Sequence, residues 1–573
     1  MSLTDKTYKA MKRILKYVCL VMFVGMTALG GQARTINIDV NSIRGELTQG
    51  LRSACENATY GDLVVLNFGS GTYTVLGTIP MKCNVIIKGE GCDKTTILLD
   101  NGRDKAGFKA FTDDTFFRIT GTLKNPVTVS ITDVSFKLKD HKGIWWEDVE
   151  KYAVKIYHAN RVDIHDVNSY MANAKITNFD LRVCSNVSVT DCIITNYNNC
   201  QVGGCVWVRD EMDNVNIKRN KFYKYGKDEI VGIFDRVVDN TGKYIRGKAN
   251  RTNIFIEDNE FFYGYNGKDK DPLAQNQTSL TLQTDLLKSN DRCTTRNFHV
   301  RGNTFHMQDL TNRCMFVCFD PADIHEEIYI ENNQIINEAI NSNERYYRQD
   351  IEVQDLSSCG DTIHIVGNNV RNKNLVLSPF GTQGYSFLLI QGGVVDLKGN
   401  RVINEVVKNP VDGKSTGMQF VWSGAKGGSV TMRDNVCKGL MCVAYVGGGD
   451  GTPLFTLNAS NNYFEGDTRV YSHKIKELHL YFTGNTFKSS SMNFFLQEFA
   501  SRGTVVFNNN DVTVSGGGGQ FMTHWGTNST RDYRFDRMEV RNNVFRGVGS
   551  EKEMFKNVTN VKKRNVKTNQ ITR

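Results

Sequence analysis

Residues 215–222 read Val215-Asn216-Ile217-Lys218-Arg219-Asn220-Lys221-Phe222. Two apolar residues stand two apart, an Asn follows three positions later, and a further apolar residue stands two positions after the Asn. The same pattern returns around nine other residues: Asn259, Asn303, Asn333, Asn368, Asn400, Asn435, Asn485, Asn510 and Asn543. A looser copy covers residues 457–464. Successive copies are roughly 23 to 44 residues apart, which is the range of solenoid repeats.

Each copy predicts a β-strand that ends in a turn. Apolar side chains two apart point to the same side of a strand. Asn favours a turn because it tolerates the left-handed backbone conformation and bonds nearby backbone groups. One copy cannot bury its apolar face alone, but copies stacked about 4.8 Å apart would form sheets with a ladder of Asn amides. In three upstream copies Val134, Val167 and Cys192 replace the Asn.

A shorter apolar segment precedes most copies, as in Val206-Trp207-Val208. Two or three strands per coil, all parallel, make a β-helix. A sandwich or a propeller would instead show hairpin dipeptides and a more regular period. The sequence therefore predicts an all-β chain that forms one parallel β-helix.

The first coils carry a resemblance to a known superfamily. Residues 61–73 read Gly-Asp-Leu-Val-Val-Leu-Asn-Phe-Gly-Ser-Gly-Thr-Tyr, and residues 84–91 and 95–97 continue in the same style. Together with the Asn copies, they resemble pectate-lyase-like proteins over roughly residues 36–560. The resemblance implies a right-handed parallel β-helix. It implies no single activity, because that superfamily includes polysaccharide lyases, glycoside hydrolases, phage tailspikes and non-catalytic surface proteins.

Residues 1–33 have the features of a signal peptide. A basic stretch that contains Lys12, Arg13 and Lys16 precedes an apolar run at residues 18–29, and small residues follow at 31–33. An uncleaved anchor is the alternative, although the apolar run is short for a membrane span. Cleavage would lower the formal net charge from +9 to +5, because the segment holds five basic residues and one acidic residue. The sequence predicts export to the periplasm, the cell surface or the medium, with no stable membrane insertion afterwards.

Residues 34–573 are predicted to form a single domain, since the chain has only 7 Pro and no low-complexity linker. Residues 42–58 place Ile43, Leu47, Leu51 and Ala54 at helical spacing. A helix there would cap the first coil, whose apolar end must be kept from water. Coils are expected over about residues 61–560, and the basic tail after residue 556 is expected to fray or to cap the far end.

Cysteine usage leaves the pairing open. After signal cleavage thirteen of the 14 Cys remain, an odd number in a compartment that permits disulfides. Cys83 with Cys92 and Cys200 with Cys205 are close enough in sequence to pair, whereas Cys192 and Cys437 occupy inward repeat positions. No zinc-site spacing is present.

Aspartates follow the leading strands of five consecutive coils. They are Asp210, Asp235, Asp285, Asp320 and Asp355. In register, neighbouring carboxylates would lie about 5 Å apart and alternate ones about 10 Å apart, which brackets the separations that glycosidases use. The row could instead hold Ca²⁺. The structural alternative is that Asp simply ends strands and starts turns.

Basic side chains accompany these strands at Arg118, Lys155, Arg209 and Arg236. Cations aligned along a sheet could bind uronic-acid carboxylates, and a β-eliminating lyase needs a base and such a cation. The alternative is that they form ordinary surface ion pairs, such as Arg209 with Asp210.

Aromatic and histidine side chains complete the candidate site. Trp207 is predicted to face outward between two inward Val residues and to stack on sugar. The other aromatic candidates are Tyr157, Trp145, Trp146, Trp422 and Trp525. His325 lies in a turn near the aspartate row and is predicted to contact substrate. His165, His299 and His364 should face outward on another sheet.

These observations predict an exported enzyme, a lyase or a glycoside hydrolase, that binds an extracellular and acidic polysaccharide in a groove along one sheet. Asp210, Asp235, Asp285 and Asp320 are predicted as acid, base or Ca²⁺ ligands, and Arg209 and Arg236 as carboxylate-binding groups. Lys155, Tyr157, Trp207 and His325 are predicted to contact substrate. The alternative is a non-catalytic, adhesin-like glycan-binding protein. Nucleic acid is not expected, because no recognised binding module is present.

Overall fold

The computed structural model of the protein describes most of the chain beyond the predicted signal segment. The described ranges are 33–100, 115–139, 151–172, 176–197, 203–226, 228–234, 248–264, 278–284, 292–307, 313–338, 348–357, 359–373, 385–405, 418–447, 452–472, 475–489, 492–497, 502–515, 519–524, 535–556, 558 and 561–572. Residues 1–32 of the predicted signal segment lie outside these ranges.

Three parallel sheets run along the length of the molecule. In each coil the chain passes through a leading strand, then through the strand of the sequence repeat, and then through a strand that follows the Asn. We call the three sheets the leading, repeat and trailing sheets. Each strand pairs in parallel with its counterpart in the next coil, as Val215 and Ile217 do with Ile254 and Ile256. This winding confirms the predicted all-β fold, a parallel β-helix.

The leading sheet contains Ile79–Met81, Thr115–Thr120, Val231–Phe234, Thr278–Gln283, Arg313–Phe319, Arg348–Asp355, Tyr385–Gln391, Met418–Ser423, Val470–Ser472, Met492–Gln497 and Gly519–His524. The repeat sheet contains Thr35–Asp39, Leu63–Asn67, Asn84–Lys88, Val127–Thr132, Lys248–Glu257, Arg292–Arg301, Ile324–Glu331, Cys359–Gly360, Ile363–Val366, Val394–Lys398, Gly428–Arg433, Thr452–Ser460, Ile475–Thr483, Arg502–Asn508, Phe535–Arg541 and Val561–Lys567. The trailing sheet contains Gly71–Val75, Thr95–Leu99, Ser135–Leu138, Asn168–Ala172, Ile193–Tyr197, Lys221–Tyr225, Glu260–Gly264, Thr304–Met307, Gln334–Asn337, Asn369–Asn372, Arg401–Asn404, Tyr463–Gly466, Thr486–Ser489, Asp511–Val514, Val544–Arg546 and Gln570–Thr572. Lys151–His165, Ile176–Thr190 and Val206–Lys218 bend from the leading into the repeat sheet, and Val436–Val446 bends from the trailing into the leading sheet.

The repeat's apolar residues form the core, as their spacing predicts. Val215, Ile217 and Phe222 are fully buried. Phe222 stacks on Phe261 of the next coil at a centroid distance of 5.0 Å, and Phe261 stacks on Phe305 at 4.6 Å. Stacking like side chains on one another in this way is what makes each coil depend on its neighbours.

The predicted Asn ladder is present and is longer than the ten strict copies. Its rungs are Asn220, Asn259, Asn303, Asn333, Asn368, Asn400, Asn435, Asn462, Asn485, Asn510, Asn543 and Asn569. Each side-chain oxygen accepts from the backbone N–H and the side-chain amide of the preceding rung. Cys192 occupies the same place one coil earlier, where its backbone N–H donates to Asn220 Oδ1 at 3.0 Å.

The role assigned to Asn in the turn needs correction. The left-handed residue is the one before each Asn, as Arg219 shows with φ 56° and Asp258 with φ 55°. The Asn side chain bonds to the neighbouring coils and not to its own turn. Glycine fills the left-handed position before Asn303 and Asn368, where a Cβ would crowd the side chain at the same corner of the coil before.

The two ends of the solenoid differ from each other. The predicted cap is a helix at Leu47–Glu56, shorter than residues 42–58, and it buries Leu51 and Cys55. Its Thr48 hydroxyl accepts from the backbone N–H of Leu76 at 2.8 Å. At the far end, a short helix at Glu551–Met554 precedes the tail. The tail is not frayed: it forms a last coil that carries the final Asn of the ladder.

A buried lysine is an exception in the apolar interior. Lys224, on the trailing sheet, is fully buried; its ammonium donates to Asn196 Oδ1 at 3.1 Å and to the carbonyl of Gly203. Burial lowers the pKa of Lys224 to about 8, although the charge of Asp228 opposes this. Between about pH 8 and the ordinary pKa of lysine, Lys224 is therefore largely neutral in the folded chain and protonated in the unfolded chain.

Stability is expected to rise with pH through this group. From pH 7.5 to pH 9.5, the free energy of unfolding of the wild type should rise more than that of Lys224→Met. The expected difference is on the order of 2 kcal/mol. Urea titrations of both proteins at the two pH values measure this difference. Comparing the two proteins cancels the ionisation of the buried cysteines. Equal pH responses would contradict the assignment.

Candidate functional site

The outward face of the leading sheet carries side chains in register from coil to coil. The first outward row contains, in order, Arg118, Lys155, Asp180, Trp207, Gly232, Thr281, Phe316, Glu352, Leu389, Trp422, Tyr445 and Tyr471. The second outward row contains, in order, Tyr157, Arg182, Arg209, Phe234, Gln283, Cys318, Gln354 and Gln391. Along each strand, the residue of the second row stands two positions after the residue of the first row. Both rows therefore project from the same face of the sheet.

A charged cluster occupies the first coils of these rows. Asp180 is fully buried and lies between two guanidinium groups: Arg182 Nε is 2.8 Å from Asp180 Oδ2, and Arg209 Nε is 3.0 Å from Asp180 Oδ1. Arg209 therefore pairs with Asp180 of the preceding coil. Lys155 stands beside Asp180 in the same row and is half-buried.

The cations keep Asp180 ionised. Burial favours the neutral acid, but the charges of Arg182, Arg209 and Lys155 lower the pKa of Asp180 below its ordinary value. Burial likewise opposes the charge of Arg182, yet Asp180, Tyr152 and Asp210 raise its pKa. Asp180 is thus a permanent hydrogen-bond acceptor, and it is a poor proton donor near neutral pH.

An aromatic group packs beside the cluster. Trp207, Tyr152 and Phe234 form a small apolar cluster separate from the core. The Arg209 guanidinium lies 4.1 Å from the Trp207 ring centroid, and Phe234 meets that ring edge-on at 5.8 Å. Trp207 therefore faces outward as predicted, but only 4% of it is exposed. Its ring is not open to solvent, because these neighbours cover it.

Asp210 does not stand at the edge of a groove. It is 1% exposed and has a left-handed backbone conformation with φ 73°. A β-bulge places it there, since Arg182 pairs with Arg209 but Cys184 pairs with Met212. The predicted catalytic position is therefore corrected: Asp210 is buried at the corner between the leading and repeat sheets, where its charge acts on Arg182.

The predicted carboxylate row is also out of register farther along. Asp355 pairs with Phe319 and not with Asp320. Asp320 is half-buried, whereas Asp355 is buried and accepts from Nε2 of His325 at 2.9 Å. His325 is fully buried and stacks on Phe319 at 4.2 Å. The ring of His325, predicted to contact substrate, thus belongs to a buried corner pair with Asp355.

A second charged pair lies in the middle of the first outward row. Glu352 is 8% exposed, and Arg313 Nη1 lies 2.9 Å from its Oε2. The Arg313 guanidinium also lies 4.2 Å from the ring centroid of Phe316. Burial raises the pKa of Glu352, and the charge of Arg313 offsets only part of this effect. Glu352 is thus easier to protonate than an ordinary glutamate.

The remaining predicted residues divide into two groups. Tyr157 is half-buried beside Arg182 in the second outward row, and its ring contacts His158 edge-on at 4.2 Å. His299 and His364 lie on the outward side of the repeat sheet as predicted. The other group lies outside the described residues and comprises Asp235, Asp285, Arg236, Trp145, Trp146 and Trp525.

Sequence analysis missed Asp180, Arg182 and Glu352. All three stand at outward positions between buried neighbours, and strand alternation alone could have pointed to them. The aspartates that end strands, Asp210 and Asp320 among them, form a more conspicuous pattern in the sequence. The pairing of Asp180 with two arginines from different positions depends on coil register, which one sequence does not reveal.

Metal and disulfide expectations can be compared with the described part of the chain. Within it, no group of three or more His, Cys, Asp or Glu side chains is placed to hold a metal ion, so the suggested Ca²⁺ site has no ligand set there. Cys83 and Cys92 are both free thiols and do not pair with each other. Cys192 and Cys437 are buried as predicted. Within the same ranges, no helix is long and apolar enough to cross a membrane.

No protein-family model and no curated protein sequence matches the chain. Among solved structures, it is similar to the Agl-KA catalytic domain, with 10% identity, a TM-score of 0.34, and coverage of 76% of this chain and 66% of that one. It is also similar to the catalytic unit of a GH87 α-1,3-glucanase from Streptomyces thermodiastaticus strain HF3-3, with 13% identity, a TM-score of 0.29, and coverage of 91% and 70%. A tailspike protein of E. coli bacteriophage HK620, in complex with a pentasaccharide, matches with 12% identity, a TM-score of 0.26, and coverage of 88% and 75%.

Proposed function

We propose that this protein is exported and binds an acidic polysaccharide along the outward face of the leading sheet. The observation that carries the proposal is the cluster of Lys155, Asp180, Arg182 and Arg209 on that face. With Arg118 and Asp210 included, the cluster holds four cations and two anions. An excess of positive charge on a rigid sheet favours a ligand that carries carboxylates.

The mixture of charges favours sugar over other polyanions. A polyphosphate offers acceptors only, so the carboxylates of Asp180 and Glu352 would repel it. A uronic-acid polysaccharide presents hydroxyl groups, which donate to carboxylates, and carboxylates, which accept from Lys and Arg. The rows repeat in steps of about 4.8 Å along the molecule, and this regular spacing suits an extended polymer.

Lys155 is the residue on which to test the proposal. It is half-buried and not fully covered, so its loss removes a charge without opening the core. We expect Lys155→Ala to weaken binding about tenfold, the equivalent of one charge-assisted contact. Binding is measured by retention of the full chain on immobilised polygalacturonate, alginate, hyaluronan and neutral glucans.

Lys137 provides the matched control. It is an exposed lysine on the trailing sheet of a neighbouring coil, so Lys137→Ala changes the net charge equally without touching the leading sheet. Equal affinity of wild type and Lys155→Ala would contradict the proposed site. Retention on single-stranded DNA but on no polysaccharide would contradict the proposed ligand class.

Cleavage of the bound polysaccharide is the second candidate function, and Glu352 favours it. A carboxyl group with a raised pKa beside a guanidinium can hold a proton for a leaving group. Products are followed by ultraviolet absorbance of unsaturated uronates, which marks β-elimination, and by new reducing ends alone, which mark hydrolysis. Loss of product with Glu352→Gln at unchanged polysaccharide retention would support the enzyme, and silence in both assays would leave a binding protein.

A further inference from the structure

Three aromatic residues continue the first outward row in consecutive late coils. Trp422 pairs with Tyr445, and Tyr445 pairs with Tyr471. Each is half-buried, while the residues that flank each of them along its strand are buried. Trp422 is six coil steps from Trp207, by way of Gly232, Thr281, Phe316, Glu352 and Leu389, or about 29 Å at the spacing of parallel strands.

We call Trp422, Tyr445 and Tyr471 the aromatic stripe. Their rings are oriented differently from those of a second row of outward aromatic side chains. On the repeat sheet, Phe255, His299, Tyr329 and His364 stack with interplanar angles of 14°, 7° and 12°. Parallel stacking occupies the ring faces and turns the ring edges to solvent. In the stripe, Trp422 and Tyr445 lie at 85° and Tyr445 and Tyr471 at 38°. These rings therefore meet edge-to-face or at a tilt and do not form a parallel stack.

Polar groups border the stripe at its far end. Arg469 Nη1 donates to the Tyr471 hydroxyl at 2.9 Å, and its guanidinium lies 5.4 Å from the Tyr471 ring centroid. Arg469 also forms an ion pair with Asp467. An apolar ring face beside fixed donors and acceptors matches a pyranose, which has an apolar face of C–H bonds and a polar rim of hydroxyl groups.

We propose that Trp422, Tyr445 and Tyr471 form a distal binding surface for the same polysaccharide chain that the charged cluster binds. The inference rests on the proposed function and extends it. One polymer would span both surfaces, because both lie on the outward face of the same sheet. Fragments shorter than the distance between the surfaces would engage only one of them.

The test compares a long polymer with short fragments. The probe is the uronic-acid polysaccharide that the wild type retains best, used intact and as purified tetrasaccharides. We expect Trp422→Ala and Tyr445→Ala each to weaken binding of the intact polymer about tenfold, the order of one aromatic contact, with little effect on tetrasaccharides held at the charged cluster. Lys155→Ala should weaken both. Trp422→Phe, which keeps a ring, should recover much of the loss.

Tyr481 supplies the control for aromatic truncation. It is half-buried and points outward on the repeat sheet, so Tyr481→Ala should leave polymer binding unchanged. Wild-type affinity in Trp422→Ala and Tyr445→Ala, with weakened binding in Lys155→Ala, would overturn the distal surface and leave the proposed function standing. Wild-type affinity in all three variants, or no retention of any polysaccharide, would overturn both.

Discussion

Asn368→Ala should lower the free energy of unfolding by about 4 kcal/mol, because it removes four buried hydrogen bonds at once. Asn368 Oδ1 accepts from the backbone N–H and the Nδ2 of Asn333, both at 3.0 Å. Its Nδ2 donates to the carbonyl of Ile330 at 2.9 Å and to Asn400 Oδ1 at 3.0 Å. Alanine leaves the Asn333 N–H buried without its acceptor, and two coils lose their link at the corner.

The control for this prediction is the next residue. Asn369 is exposed, and we expect Asn369→Ala to change stability by less than about 0.5 kcal/mol. Guanidinium titrations followed by circular dichroism measure both variants, and the first transition is the informative one because solenoids unfold in neighbouring units. Similar midpoints for the two alanine variants would mean that the ladder does not hold the coils together.

Asp180→Ala should destabilise the protein by about 3–5 kcal/mol, because it leaves two buried guanidinium groups without their shared counter-charge. Arg182 and Arg209 are 5% and 6% exposed, so solvent cannot replace the carboxylate. The pKa of Asp180 is lowered in the folded chain. Its contribution is therefore present above the ordinary aspartate value and is lost as the pH falls below it, so wild type and variant should converge in acid.

Two further proteins separate stability from function at this cluster. Glu211→Ala removes an exposed acid from the strand that carries Arg209 and should have little effect. Asp180→Leu combined with Arg182→Met and Arg209→Met should recover much of the lost stability, since apolar side chains of similar size often replace buried ion pairs. That triple variant keeps Lys155 and Arg118 and should bind acidic polysaccharide more weakly than the wild type. Wild-type binding by the triple variant would show that Asp180, Arg182 and Arg209 serve structure only.

The fold was predictable from the repeat because residues close together in sequence specify each strand and its turn. Two apolar residues two apart, followed by an Asn, specify a buried strand face and a ladder position in every coil. The same rule missed Asn462 as a strict copy and Asn569 in the tail, since one extra residue or a polar strand obscures the pattern. Asn485 and Asn569 still accept hydrogen bonds from Asn462 and Asn543 of the preceding coils, because each coil packs directly on its neighbour.

The site was less predictable because it depends on register between coils. A bulge buries Asp210, and Asp355 pairs one residue away from the aspartate row; neither offset can be read from one strand. Burial of Trp207 and His325 likewise comes from contacts with other coils. Alternation along a strand does indicate which side chains face outward, and on that ground Asp180 and Glu352 were predictable.

The most direct test of the account is a crystal structure of the full chain with a bound oligosaccharide from the retained acidic polysaccharide. The account predicts sugar along the outward face of the leading sheet, with a uronate carboxylate within hydrogen-bonding distance of Lys155 or Arg118. Sugar bound to the repeat sheet, to the trailing sheet or to an end of the solenoid would contradict it.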